Sequence, residues 1–167
     1  MNSLLRSVRN PRLDALSPND SDVLLANAHV LEQGGEEPRN SDLLRGRNLG
    51  LLCESEDADD AIRFRRAARN LGARVAFIRP RLSELSEPQT LRNTARMLGR
   101  LYDAVECQGL PADLVRQVGD EAGVPVYDGV ASKRHPTASL AESLGSTRSL
   151  AENRQLVLQA ALVSSIR

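Results

Sequence analysis

The sequence predicts an α/β fold: an open parallel sheet of about four strands, helices on both faces and a closing C-terminal helix. Two observations carry this prediction. Short apolar runs predict strands at residues 48–53, 74–78, 102–107 and 124–127. Stretches with helical periodicity separate these runs, at residues 58–71, 90–101 and 112–122. Strands joined through helices of this length run parallel with right-handed crossovers, so one open sheet is expected.

Further helices are predicted before and after this alternating region, at residues 18–33, 137–144 and 149–166. Residues 34–41, rich in Gly, Glu and Pro, predict a loop. We expect one unit over residues 1–167, because the chain length suits a single core. Its parts are a helical lead-in, an α/β core and a closing helix, at residues 1–47, 48–144 and 149–166.

Composition excludes several classes of protein. Lys+Arg and Asp+Glu both total 22, so there is no basic excess for binding nucleic acid or a membrane surface. No apolar run predicts a membrane span or a signal-peptide core. The two cysteines follow no disulfide or zinc-finger spacing, and no motif indicates a cofactor or a metal. We therefore expect a cytoplasmic protein with reduced thiols.

Residues 53–72, CESEDADDAIRFRRAARNLG, resemble a motif of the aspartate and ornithine carbamoyltransferases, F-E-x-x-S-T-R-T-R-x-S-F-x-x-A-x-x-x-x-G. Three other stretches resemble the same family in the same order. TARMLGRLYD at residues 94–103 is similar to T-A-R-V-L-G-R-M-Y-D, and GVPVYDG at 123–129 to G-V-P-V-W-N-G. HPTASLA at 135–141 is similar to H-P-T-Q-x-L-A. The resemblance covers about residues 53–144, is strongest to ornithine enzymes, and implies their carbamoyl phosphate-binding domain.

The last predicted helix carries a further resemblance. AENR at residues 151–154 resembles A-E-N-R in the final helix of ornithine enzymes, yet it follows Gly145 by only a few residues. The resemblance implies an internal deletion that removes the amino-acid-binding domain and retains the closing helix. The H-C-L-P motif of that second domain does not occur in the sequence. The alternative is a chance match in an amphipathic helix.

The resemblance places the ancestral carbamoyl phosphate site at Asp57, Ala58, Asp59, Asp60, Ala61, Gln108, His135, Thr137 and Ala138. Asp59 and Ala61 stand where the family has its two motif arginines, and Gln108 stands where ornithine enzymes have another. Residues 83–90, predicted as a loop, also lack the family pattern that completes a neighbouring active site. Replacing a guanidinium by a carboxylate reverses a term worth about 4 kcal/mol per charge pair at close range. We therefore expect no carbamoyl phosphate binding there.

Two other interpretations of polar residues remain open. The acidic run favours a solvated helix start, because acids suit the positive end of the helix dipole. Alternatively, a cation could bind to its carboxylates, Glu54, Glu56, Asp57, Asp59 and Asp60. Another cluster would bring together Cys53, Cys107 and His135 at the strand ends, for metal binding or oxidation. Small buried apolar cysteines are the simpler interpretation.

Two functions follow from the sequence. The first is a catalytically inactive carbamoyltransferase-like protein that acts by association, as a homo-oligomer, with a trimer implied by the resemblance, or with a related carbamoyltransferase subunit. Loss of the second domain would expose a face that needs polar substitution or a partner. The second is a binder of a small molecule or anion, or a transferase, with a rebuilt pocket at the strand carboxyl ends. Convergent basic groups favour the second function, and an acidic pocket favours the first.

Overall fold

A four-stranded parallel sheet lies at the centre of the computed structural model, which describes residues 4–34, 40–145 and 147–166. The strands are β1 (Asn48–Leu52), β2 (Arg74–Ile78), β3 (Ala104–Cys107) and β4 (Val126–Asp128), in the order β2-β1-β3-β4. Leu49 of β1 pairs with Val75 on one side and Ala104 on the other. The predicted fold class is confirmed. Residues 35–39 of the predicted loop lie outside the described residues.

Helices cover both faces of the sheet. They are α1 (Pro18–Gly34), α2 (Asp59–Asn70), α3 (Leu82–Leu85), α4 (Pro88–Leu101), α5 (Ala112–Ala122), α6 (Leu140–Ser143) and α7 (Leu150–Ser165). Single 3₁₀ turns occur at Asn40–Asp42 and Pro136–Ser139. Buried residues of α4 and α5 pack on one face of the sheet, and those of α1, α2, α6 and α7 pack on the other. Within the described residues, no helix is both long and apolar enough to cross a membrane.

The structure corrects several predicted element boundaries: β4, for example, begins at Val126 rather than at residue 124, and the helix predicted at 137–144 is a 3₁₀ turn followed by the short α6. Helix α4 begins at Pro88 rather than at residue 90, because the Glu87 carboxylate accepts the N–H groups of Gln89 and Thr90. The predicted loop at 83–90 therefore holds the short helix α3 and the start of α4. Strand β3 begins two residues later than predicted, because the Tyr102 N–H still donates to Leu98 O of α4.

Helix α7 closes the core by packing against α1, α2 and α6. Its start is fixed by a reciprocal pair of hydrogen bonds between Ser149 and Glu152. Buried polar contacts then hold it to its neighbours. Asn153 Nδ2 donates to Ala141 O at 3.2 Å, and Ser165 Oγ lies 2.6 Å from the Tyr127 hydroxyl of β4. These contacts fix α7 against both the sheet and α6.

Candidate functional site

A hollow of about 470 Å³ lies at the carboxyl ends of β3 and β4, where open α/β sheets bind ligands. The side chains that give it polarity are Asp14, Asp60, Gln108, Asp128, Arg134 and His135. Asp60 is already paired, because Arg63 Nη1 lies 2.9 Å from its Oδ1. Asp14 accepts a hydrogen bond from Asn10 Nδ2 at 2.6 Å. Carboxylates outnumber cations in this hollow, so it disfavours an anion such as phosphate.

Two of these carboxylates come from positions that the sequence analysis did not single out. Asp14 belongs to the N-terminal segment, which is anchored where the Val8 N–H donates to Ser164 O of α7. Asp128 ends β4, and partial burial raises the pKa of its carboxyl. Asp128 stands where the family sequence G-V-P-V-W-N-G has Asn. This change from an amide to a carboxylic acid was the sequence feature that could have indicated another acidic residue at the strand end.

His135 offers one unused hydrogen-bond donor at this hollow. Its side chain is 7% exposed, and its Nδ1 accepts the Thr137 N–H at 3.2 Å. Burial lowers the pKa of His135 to about 4, so the ring is neutral at pH 7 and its hydrogen sits on Nε2. Nε2 is buried and has no partner within the described residues. His135 therefore supplies no positive charge to the hollow.

The loop that carries His135 is held by a buried carboxyl. Glu106 of β3 is fully buried and accepts the N–H groups of Val130 and Ala131, at 3.0 and 3.1 Å. Gln108 Nε2 also donates to Glu106, at 3.3 Å. Burial raises the pKa of Glu106 to about 8, because the charged form loses its water. Glu106 thus positions the loop without facing the hollow.

Basic side chains converge on a second, much smaller hollow beside Thr137 and Ala138. Arg63, Lys133 and Arg154 line it, and its volume is about 20 Å³. Arg63 Nη1 is engaged there, because it donates to Ala131 O at 2.9 Å. The Nε of Arg154 is buried without a partner within the described residues. The hollow has room for about one water molecule, so it is too small for a phosphate.

The predicted site residues are therefore divided among several places. Asp60, Gln108 and His135 meet at the acidic hollow, whereas Thr137 and Ala138 line the small basic one. Asp59 lines a separate hollow between α2 and α7. Three residues line none of these hollows: the exposed Asp57 and Ala58 and the buried Ala61.

The two proposed ion-binding clusters do not form. Within the residues that the structure describes, no three His, Cys, Asp or Glu side chains are placed to share a metal ion. Cys53 packs in the core on one face of the sheet and Cys107 in the core on the other. Burial raises the pKa of both thiols. The acidic run instead makes ion pairs with arginines of α2, Asp60 with Arg63 and Glu56, which precedes the helix, with Arg65.

The convergence of basic residues around Thr137 was not predicted from the sequence. Arg63 and Arg154 lie far apart in sequence and meet only because α7 packs on α2. Lys133 carried a weak signal, as the single lysine in a chain whose other basic residues are all arginine. No local pattern could have placed these three side chains together.

Residues 11–146 match the family model described as aspartate/ornithine carbamoyltransferase, carbamoyl-P binding domain. The fold and the match define a domain of the carbamoyltransferase type. The chain belongs to the aspartate/ornithine carbamoyltransferase family, and the part of the family that it matches is the carbamoyl-P binding domain.

The similar curated proteins are ornithine carbamoyltransferases. The Haemophilus influenzae (strain PittGG) enzyme is 38% identical over 101 residues, which cover 60% of this chain and 30% of that protein. The catabolic enzyme of Burkholderia mallei is 39% identical over 109 residues, 65% of this chain and 31% of that protein. The chain thus spans about a third of the length of these relatives.

Solved structures show the same fold. Ornithine carbamoyltransferase from Gloeobacter violaceus aligns with a TM-score of 0.60 at 26% identity, over 83% of this chain and 44% of that one. The Pyrococcus furiosus enzyme aligns with a TM-score of 0.66 at 22% identity, over 84% of this chain and 44% of that one. The second likeness supports the fold alone.

Proposed function

We propose that this chain is a single carbamoyl phosphate-domain unit that does not catalyse carbamoyl transfer and acts by association. The supporting observation is the acidic hollow at the strand ends, where Asp14, Asp60 and Asp128 face a single arginine, Arg134. Transfer of a carbamoyl group requires stabilisation of a phosphate leaving group and of a developing oxyanion. Among the described residues that line this hollow, the neutral His135 and one guanidinium stand beside three carboxylates, so no set of cations is available to hold a phosphate.

Carbamoyl phosphate at millimolar concentration should leave the thermal unfolding temperature of the chain unchanged. A ligand at 100 times its Kd would add about 2.7 kcal/mol, a shift of several degrees at this chain length. The measurement is a thermal melt with carbamoyl phosphate, with inorganic phosphate as the control for ionic effects. A shift specific to carbamoyl phosphate would contradict the proposal.

Association is supported by apolar side chains that the fold leaves exposed. Leu82 of α3 and Met97 and Leu101 of α4 are 49%, 51% and 55% exposed. Met97 and Leu101 lie one turn apart, so they share a face of the helix. The family resemblance implies a trimer, and the proposed partners are further copies of this chain or a related carbamoyltransferase subunit.

Sedimentation equilibrium should give a mass above that of the 18.2 kDa chain, alone or with a co-expressed ornithine carbamoyltransferase. Met97→Glu should lower that mass, because it places a charge on the exposed apolar face. Arg92→Gln, away from this face on the same helix, is the matched control and should leave the mass unchanged. A monomer under both conditions would refute association.

The second candidate function is anion binding at the small basic hollow. The observation that favours it is the buried, unpartnered Nε of Arg154 beside Arg63 and Lys133. The hollow would first have to widen, since it now holds about one water molecule. If carbamoyl phosphate does raise the unfolding temperature, Arg154→Gln should abolish that rise under this second function.

A further inference from the structure

A fourth hollow lies away from the strand ends, between α1, α2 and α7, and has a volume of about 490 Å³. Its floor is apolar, with Leu31 and Leu156 both buried. A neighbouring hollow of about 450 Å³ continues along α2 and α7 and shares Glu152 and Gln155 as lining residues. We call the two together the α2–α7 groove. An apolar floor with a few polar groups is typical of a small-molecule site.

The acidic side chains of the α2–α7 groove are already engaged. Glu32 lies 3.4 Å from the Arg148 guanidinium and 3.5 Å from the His29 ring. The Glu152 carboxylate accepts the Ser149 N–H at 2.8 Å, as part of the start of α7. At the other end, Asp59 occupies the first turn of α2, where the helix dipole favours it.

In the α2–α7 groove, the polar groups without a partner among the described residues are mostly hydrogen-bond donors. Gln155 Nε2 is buried without a partner, and Gln159, one turn further along α7, is only 8% exposed. Buried polar groups are nearly always hydrogen-bonded, since each unpaired group costs stability. The unpaired Gln155 amide, with the Gln159 amide one turn away on the same face of α7, indicates a missing acceptor.

Two unpaired arginines stand opposite these amides. Of the α2 arginines, Arg63 and Arg65 make ion pairs, whereas Arg66 and Arg69 have no side-chain partner in the described part of the chain. Arg66 lines one half of the groove and Arg69 the other, and the two lie three residues apart on the helix. A guanidinium binds a carboxylate through two parallel hydrogen bonds.

We propose that the α2–α7 groove binds a small organic dicarboxylate, with Arg66 and Arg69 each holding one carboxylate and the amides of Gln155 and Gln159 donating to their oxygens. The apolar floor of Leu31 and Leu156 contacts the carbon chain of the ligand. None of these groups is an ancestral site residue. The outcome of a test of this groove is therefore independent of the proposed function.

The test is thermal unfolding and calorimetric titration of the full chain with succinate, against the neutral succinamide and inorganic phosphate at equal ionic strength. Succinate should raise the unfolding temperature in a concentration-dependent way, and neither control should do so. A rise with succinamide, or an equal rise with phosphate, would overturn the assignment. So would the absence of a succinate effect.

Variants separate binding from folding. Arg69→Gln should weaken succinate binding at least tenfold and, since Arg69 is exposed, leave the core intact. Arg100→Gln, an exposed arginine on α4, is the matched control and should bind normally. Gln155→Leu should raise the unfolding temperature without ligand, because it removes a buried unpaired amide, while also weakening binding tenfold. Equal losses in both arginine variants, or unchanged affinity in Gln155→Leu, would refute the site.

Discussion

Glu106→Ala should lower the free energy of unfolding by about 3 kcal/mol and the unfolding temperature by roughly 10 °C. The substitution removes the acceptor for the N–H groups of Val130 and Ala131, two residues that are buried in the loop after β4. An unpaired buried N–H costs about 1–3 kcal/mol, and the lost side chain adds a cavity. Urea denaturation measures the effect.

The same carboxyl should make stability depend on pH. In the unfolded chain its pKa is near the usual value of 4.5, whereas burial raises it to about 8 in the folded protein. The folded state therefore holds a proton that the unfolded chain releases. The stability that this proton contributes is fully present below pH 4.5 and is lost as the pH rises towards 8.

Glu106→Gln is the variant that isolates this effect, because it is uncharged at every pH and nearly the same size. The difference in unfolding free energy, wild type minus Glu106→Gln, should fall by a few kcal/mol between pH 5 and pH 9. Other titrating groups are shared by both proteins and cancel in the difference. Parallel stability curves would show that Glu106 does not titrate in this range.

Much of the fold was predictable because local and tertiary preferences agree. The apolar runs at β1 and β2 are bounded by turn residues, and Gly72 follows α2 with a φ of 88°, a conformation that suits glycine. The start of α4 was not predicted, because the Glu87 side chain that caps it lies in residues 83–90. Those residues were interpreted as a loop that lacks the family motif.

The candidate site was predictable only where its residues are close in sequence. Asp60 and His135 fall in motifs that the resemblance aligned, and both line the acidic hollow. Asp14 reaches it only because the N-terminal segment packs against α7, a contact without a local sequence pattern. Glu106 looked like an ordinary strand residue, and its role depends on a loop more than 20 residues later.

Gly99→Ala should destabilise the protein by about 1–3 kcal/mol, although the same change in a helix usually stabilises by up to about 1 kcal/mol. Gly99 lies in α4 where that helix meets the end of α5. A Cβ at this position would lie 1.8 Å from the Ala122 carbonyl oxygen, so the two helices would have to separate. Separation would loosen the core between them, which includes Leu98 and Val118.

Gly119→Ala in α5 is the matched control for this prediction. The atom nearest to a Cβ there would be in the Arg12 side chain, at 3.4 Å. The higher helix propensity of alanine should therefore stabilise the protein at this position. Urea denaturation should therefore show opposite signs for two glycine-to-alanine changes in packed helices. Because helix preference favours alanine at both positions, a stabilising Gly99→Ala would mean that α4 and α5 can move apart freely. A destabilising Gly119→Ala would show that the control helix is also closely packed.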